Sequence, residues 1–307
     1  MGPVAITGAN SAVGRAMLQL ASGGADALAG EIVACVRSER AESQLPALGP
    51  ATRVARVDYD DADSLVSAFR GVENGGVESV VHLPGVLVES PGSTYERANV
   101  ATTRAVVDAA RTAGVRKLVL VSALGADPGS ANRYYRTKGE AESLVRDAGL
   151  AWTILRAPLV LGPGTEGAAA LRRNASGSSV ALPGGGRQRQ QPLDVADLAR
   201  AAFRAAEPGL ADSTVLDVAG RDGLSDADLV RRAARELGHE VRVRSAPLVM
   251  LRLLLRLRGA VGASGFSADA LDVITTDTDV DPKPACDALG LDLTPLDDML
   301  RRSLEAS

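Results

Sequence analysis

Val4-Ala5-Ile6-Thr7-Gly8-Ala9-Asn10-Ser11-Ala12-Val13-Gly14 starts as an apolar, mostly β-branched run and ends as the opening of a helical segment, Ala12 to Ala21. Gly8 and Gly14 bound the turn between them. Glycines at such a turn let the backbone approach a pyrophosphate, and the helix N-terminus adds amide donors and partial positive charge. Placement directly between strand and helix matters more than the number of glycines. A three-glycine version carries glycine at position 11; Ser11 stands there instead and is small enough to fit. Gly8, Asn10, Ser11, Ala12, Val13 and Gly14 are therefore candidate cofactor contacts.

Outward from this turn the first half of the chain alternates in type. Candidate strands are Glu31 to Val36, Arg53 to Val57, Ser79 to Leu83, Lys117 to Val121 and Trp152 to Leu155. Helical stretches lie between them: Ala62 to Phe69 (capped by Asp60 or Asp61), Tyr95 to Ala113 (stopped by Gly114) and Tyr135 to Ala148 (stopped by Gly149). Val80-Val81 and Leu118-Val119-Leu120-Val121 are apolar on both faces, as strands covered on both sides must be. This alternation predicts a doubly wound parallel α/β sheet of the Rossmann type over residues 1–157, joined by a strand near 215–218. Residues 158–307 form mainly a smaller substrate lobe. There, Gly162-Pro163-Gly164 and Pro183 to Gly186 are turns, Ser225 caps a helix with Asp228 reciprocating, and Leu248–Leu257 and Leu296–Leu304 are helices.

The second strand ends in Val36-Arg37. An acid near this position bonds the ribose 2′-OH of NAD, whereas an arginine accommodates a 2′-phosphate. Arg37, with Arg15 and Arg40 nearby, favours NADP(H) over NAD(H). Asp58, beside Tyr59 after the third strand, either meets the adenine amino group or serves as a helix-entry acid; both alternatives stand. Tyr134 and Lys138 form Tyr-x-x-x-Lys, which puts both on one helical face. A neighbouring ammonium favours phenolate, so a tyrosine with a lowered pKa is expected to exchange protons there.

With these motifs the chain resembles the short-chain dehydrogenase/reductase superfamily, in its extended and atypical branches: NmrA-like proteins, sugar-nucleotide epimerases and the accessory NADPH-binding subunit of respiratory complex I. The resemblance extends through His82-Leu83-Pro84-Gly85, Ala98-Asn99-Val100-Ala101-Thr102, Val121-Ser122-Ala123-Leu124-Gly125, Ile154-Leu155-Arg156-Ala157-Pro158, Leu161 to Gly164 and Gln191 to Ala199. It implies Tyr134 as acid or base, Lys138 on the nicotinamide ribose, and Asn99 in a proton relay. It also implies Leu83, Pro84 and Gly85 beside the cofactor ribose, and Ala157 and Pro158 at the cofactor. The superfamily's catalytic Ser or Thr falls on Ala123; Ser122 takes that role only if the strand end shifts by one residue.

Composition narrows the alternatives. With 34 basic against 38 acidic residues and 3% aromatics, there is neither a global basic field nor a base-stacking platform, so no nucleic-acid partner is expected. Cys35 and Cys286 lie far apart, His82 and His239 are the only histidines, and the acids at 58–63 read as a solvated helix entry, so no metal is expected. His82 reads as a structural strand-end residue bordering the cofactor. Pro247 to Leu257, interrupted by Arg252 and Arg256, is too short to span a bilayer. Met250 to Arg258 is expected to pack on the substrate lobe rather than lie on a membrane. A cytoplasmic NADP(H)-dependent oxidoreductase acting on a small apolar molecule is the leading expectation, with homo-oligomerisation left open. A non-catalytic NADPH-holding module and a sugar-nucleotide epimerase or dehydratase are the alternatives.

Overall fold

The computed structural model describes residues 2–23, 30–71, 75–260 and 265–305. Strands, in chain order, are β1 (Val4–Thr7), β2 (Ile32–Val36), β3 (Thr52–Arg56), β4 (Ser79–His82), β5 (Lys117–Ala123), β6 (Ala151–Ala157), β7 (Val160–Leu161), β8 (Ser179–Pro183), β9 (Arg189–Gln190), β10 (Leu193–Asp194), β11 (Thr214–Asp217), β12 (Leu224–Ser225) and β13 (Arg242–Ala246). Helices are α1 (Ala12–Ser22), α2 (Glu39–Glu42), α3 (Ala62–Arg70), α4 (Thr102–Ala113), α5 (Arg133–Arg146), α6 (Glu166–Ala175), α7 (Val195–Ala205), α8 (Asp226–Glu236), α9 (Leu248–Ala260), α10 (Ala268–Ile274), α11 (Lys283–Leu289) and α12 (Leu296–Leu304).

Among the described residues, seven strands form one parallel sheet in the order β11-β6-β5-β4-β1-β2-β3. The chain runs outward from β1 through β2 to β3, then returns to β4 on the other side of β1. The crossover helices leave in opposite directions there and open a crevice at the carboxyl ends of β1 and β4, where such folds take their ligands. Both faces of the sheet are buried, which explains the unbroken apolar runs. Val4, Ile6, Ile32 and Ala34 belong to the core under α1 and α7, which α11 extends beside β11, while Ala5, Val33, Val80 and Leu118 pack under α3, α4 and α5. A separate core joins α6, α8 and α12 through Leu171, Leu229, Val230, Met299 and Leu300.

Local signals explain most of the boundaries. Asp61, rather than Asp60, caps α3 by accepting from Asp63 N, and Gly114 ends α4 at φ 77°. Ser225 Oγ accepts from Asp228 N and donates to the Asp228 carboxylate, at 3.1 and 2.7 Å. The expected helix over 95–113 is not uniform. Its first part, Glu96–Ala101, is π-helical, and α4 begins only at Thr102. Thr102 and Thr103 donate back to the carbonyls of Ala98 and Asn99, at 2.6 and 2.5 Å. Such side-chain competition perturbs a helix's backbone ladder, and apolar periodicity does not register it. Helix α5 begins earlier than expected because Asn132 accepts from Tyr134 N and Tyr135 N.

Candidate active site

The turn after β1 forms as its glycines require. Gly8 has φ 73°, a region that disfavours side chains, and a Cβ on Gly14 would lie 2.6 Å from the Ala9 carbonyl oxygen. Ser11 caps α1 by accepting from Gly14 N at 3.1 Å. Gly8, Asn10 and Ser11 line a cavity of about 200 Å³ at the sheet crevice, together with Arg37, Tyr59 and Gly85. Leu83 and Pro84 line it as well, and Asp58 borders an adjoining hollow with Arg37 and Tyr59. Asp58 also accepts from Asp60 N at 2.9 Å, so it keeps its helix-entry role while edging the crevice. Burial pushes the Tyr59 phenol up to about 12.

Of the three arginines read near the second strand, the structure brings only Arg37 to this cavity. Arg15 donates to the carbonyls of Asn10 (2.6 Å) and Gly164 (3.4 Å), tying the first turn to the loop before α6. Arg40 lies on α2 and lines neither hollow. Arg97 does line the outer hollow, where it pairs with Asp60 at 2.5 Å. Chain spacing offers no signal for Arg97, because the fold alone brings it beside Arg37.

Gly85 is the hinge of the site. Its φ is 127°, and a Cβ there would lie 2.8 Å from Lys138 Nζ and 2.9 Å from Asn99 Oδ1. Lys138 donates to Pro84 O at 2.8 Å, and burial lowers its pKa to about 8 against the opposing pull of Glu142. Asn99 is fully buried on the π-helical segment and donates to Thr137 Oγ1 at 2.9 Å, yet its Oδ1 has no partner. A buried acceptor without a donor is rare in a folded protein and marks a place for a bound hydroxyl. A notch that a methyl group would fill, one ammonium and one free acceptor fit a ribose of a dinucleotide.

A second cavity of about 500 Å³ opens beyond Gly85 and Ser11, which line both spaces. Its wall is mostly apolar, with Leu87, Leu124, Leu159, Leu171, Leu229 and Val273. Ala12, Val13, Ala157 and Pro158 lie on this wall rather than in the smaller cavity. Tyr134 lines it too, packed edge-on against Tyr95 and Tyr135 with ring centres 5.7 and 5.6 Å apart. The expected lowering of the Tyr134 pKa is not what the structure gives. Burial holds the phenol well above its ordinary value, and the neighbouring Tyr135 and Tyr95 act in the same direction. Ala123, not Ser122, lines the cavity. Successive strand residues face opposite sides, and Ser122 Oγ is buried without a hydrogen-bond partner.

His82 links the crevice to the sheet. Thr103 spends its proton on Asn99 O, so His82 Nε2 must donate to Thr103 Oγ1 (3.0 Å), leaving Nδ1 to accept from Thr7 Oγ1 (2.6 Å). Burial, reinforced by the charge of Lys138, lowers the His82 pKa to about 3. Among the described residues, no group of His, Cys, Asp and Glu is arranged to hold a metal, and Cys35 and Cys286 are free thiols.

Residues 8–205 match the family model described as NAD(P)H-binding, which covers well over half of the chain. The chain belongs to the NAD(P)H-binding family. The structural neighbours of this NAD(P)H-binding protein include extended and atypical short-chain dehydrogenase/reductase proteins. MoeE5, solved in complex with UDP-glucose and NAD, is 25% identical with a TM-score of 0.71, over 99% of this chain and 97% of that one. The NADPH-dependent quinone oxidoreductase QOR2 of Escherichia coli, complexed with NADPH, is 22% identical with a TM-score of 0.71 over 97% and 98%, and attests the shared fold. A protein named ceramide reductase from Caulobacter vibrioides (strain NA1000 / CB15N) is 29% identical over 172 residues, 56% of this chain and 54% of that protein. The NAD(P)H-binding chain thus matches about half the length of that curated relative. No helix among the described residues is long and apolar enough to cross a membrane.

Proposed function

We propose that the protein is an NADP(H)-dependent oxidoreductase that interconverts a carbonyl and an alcohol on an apolar, chain-bearing molecule. The observation that carries this reading is the shared wall at Gly85. Lys138 and Asn99 stand against Gly85, which lines both spaces, and Tyr134 lines the apolar cavity of about 500 Å³. When bound, the nicotinamide supplies or accepts hydride; everything else falls to the chain.

Gly8, Asn10 and Ser11, with the α1 N-terminus, would hold the pyrophosphate, and Arg37 a 2′-phosphate. Lys138 and Asn99 would hold the nicotinamide ribose, with Leu83, Pro84 and Gly85 giving it room. Tyr134 would carry the proton at its phenolic oxygen. The phenol is protonated at neutral pH, as donation to a carbonyl oxygen in the direction of reduction requires, although its burial makes it a weaker acid than a free tyrosine. Leu87, Leu159, Leu171 and Leu229 would exclude water and take up an aliphatic chain. The name of the Caulobacter relative, which specifies a lipid, agrees with such a wall, and the wall speaks against a nucleotide-sugar substrate.

Ala123 favours a second reading, a module that holds NADPH without turnover, because a missing oxyanion-type donor commonly costs about a hundred- to thousandfold in rate. Calorimetric titration with NADPH and NADH, followed by absorbance assays on aldehydes and ketones of increasing chain length, separates the two. Preferential NADPH binding and turnover that rises with chain length are expected. Arg37→Asp should weaken NADPH at least tenfold and spare NADH; equal loss of both would remove the 2′-phosphate role. Tight binding with no turnover on any chain length would leave the holding module.

A further inference from the structure

Helix α9 exposes its apolar side chains. Val249, Met250, Leu253, Leu254 and Leu257 are 78%, 68%, 59%, 56% and 59% exposed, more than half of each. At about 100° per residue these five share one arc of about 140°. Arg256 and Arg258, both exposed, fall at its two edges. The opposite arc, Leu248, Leu251 and Leu255, is the half-buried one, and Arg252 beside it pairs with Asp272 of α10 at 2.8 Å. A helix of a water-soluble surface turns its apolar arc inward and its polar arc outward. Here the helix is anchored on α10 by the other arc, as expected, yet an apolar arc remains outward.

The segment that carries the helix is charged in one sense. From Val241 to Ala268 the chain carries Arg242, Arg244, Arg252, Arg256 and Arg258 and no acidic residue, although the whole chain has 38 acids and a net charge of −4. Arg242 and Arg244 are exposed on β13, which leads into α9. The helix also borders the large cavity. Leu248 Cδ1 would lie 3.2 Å from a Cβ at Gly184, just after Leu182 and Pro183 of the cavity wall, and α10 contributes Val273 and Ile274 to that wall.

We propose that α9 is a docking helix for an anionic lipid bilayer. It lies in the plane of the interface, with the five exposed apolar side chains among the acyl chains and Arg256 and Arg258 at the level of the phosphates. Apolar area and basic charge together are the two signals that stable interfacial binding needs. Charge complementarity selects this occupant. A second copy of α9 on the same face would bring arginines against arginines with no acid in the segment to meet them. Docking rests on the surface alone; delivery of a membrane-resident chain into the adjoining cavity rests on the reductase reading above.

Flotation of the full-length protein with vesicles tests it. The protein should float with vesicles containing about one third phosphatidylglycerol, at least tenfold more weakly with pure phosphatidylcholine, and less as salt rises. Leu253→Ser/Leu254→Ser and Arg256→Glu/Arg258→Glu should each abolish flotation while NADPH affinity stays within twofold. Failure to float with anionic vesicles overturns the proposal, as does undiminished flotation of both double variants. A dimer in solution that Leu253→Ser/Leu254→Ser dissociates, without flotation, overturns it in favour of self-association. Reduction of a short, water-soluble aldehyde reports on the reductase reading independently.

Discussion

Tyr134 and Lys138 sit one helical turn apart, yet burial shifts them in opposite senses: the phenol is held up and the ammonium comes down to about 8. A neutral donor and a titratable cation thus share the site near neutral pH. Tyr134→Phe keeps the ring that packs on Tyr95 and Tyr135 and removes only the hydroxyl. Turnover should fall by about 10²–10⁴-fold, with NADPH affinity within twofold of the parent by titration. Lys138 gives a pH signature. Its proton favours the anionic cofactor, so NADPH affinity should be level below about pH 8 and then decline by up to about tenfold per unit. Affinity that stays level to pH 10 would deny Lys138 that contact.

At the scale of elements, Asn132 does two jobs at the start of α5. It caps Tyr134 N and Tyr135 N, and its Nδ2 donates to Asp269 O on α10 at 3.0 Å. Asn132→Ala should therefore cost about 1–2 kcal/mol in urea unfolding and also raise KM for the chain-bearing substrate, because α10 is part of the large cavity's wall. Loss of stability with KM unchanged would confine Asn132 to capping. Strands β1, β2, β4 and β5 were legible as runs apolar on both faces, and helices α3 and α4 by the residues at their ends, Asp61 and Gly114. The π-helical stretch at Glu96–Ala101 was not, because hydroxyls of Thr102 and Thr103 compete for its carbonyls and leave no mark on periodicity. The site divides likewise. Gly8, Lys138 and Tyr134 announce themselves by local spacing and Gly85 through the family resemblance, whereas Arg97, Thr103 and Thr137 join only through the fold. Raised or lowered pKa values depend on burial, which spacing does not encode; the Tyr134 phenol moved against the expectation drawn from Lys138 alone.

For the molecule as a whole, His82 connects β1, β4 and α4 while remaining uncharged. Its pKa falls from 6.5 to about 3 on folding, so the unfolded chain takes up the proton first as pH drops. The stabilisation is complete above about pH 6.5 and is lost as pH falls toward 3. Between about pH 7 and pH 5, above the carboxylate range, unfolding free energy should drop by about 2 kcal/mol from this group. Urea midpoints at the two pH values measure it, and His82→Gln should flatten the difference. An unchanged slope in that variant would assign the acid sensitivity elsewhere.

Helix α11 brings Ala285 and Leu289, with Leu293 after it, into the same core as Val4, Ile6 and Ile32 of the first strands. Synthesis therefore delivers α7 and the edge strand β11 well before the helix that packs against them. A ribosome-tethered chain stopped at Pro282 would present α7 and β11 without their lid to chaperones and proteases, and only release of residues 283–293 would close it. Completion of the core beneath the sheet is thus coupled to a segment more than two hundred residues downstream of the glycine turn, and swapping the distal half between relatives carries a folding cost as well as a change of substrate.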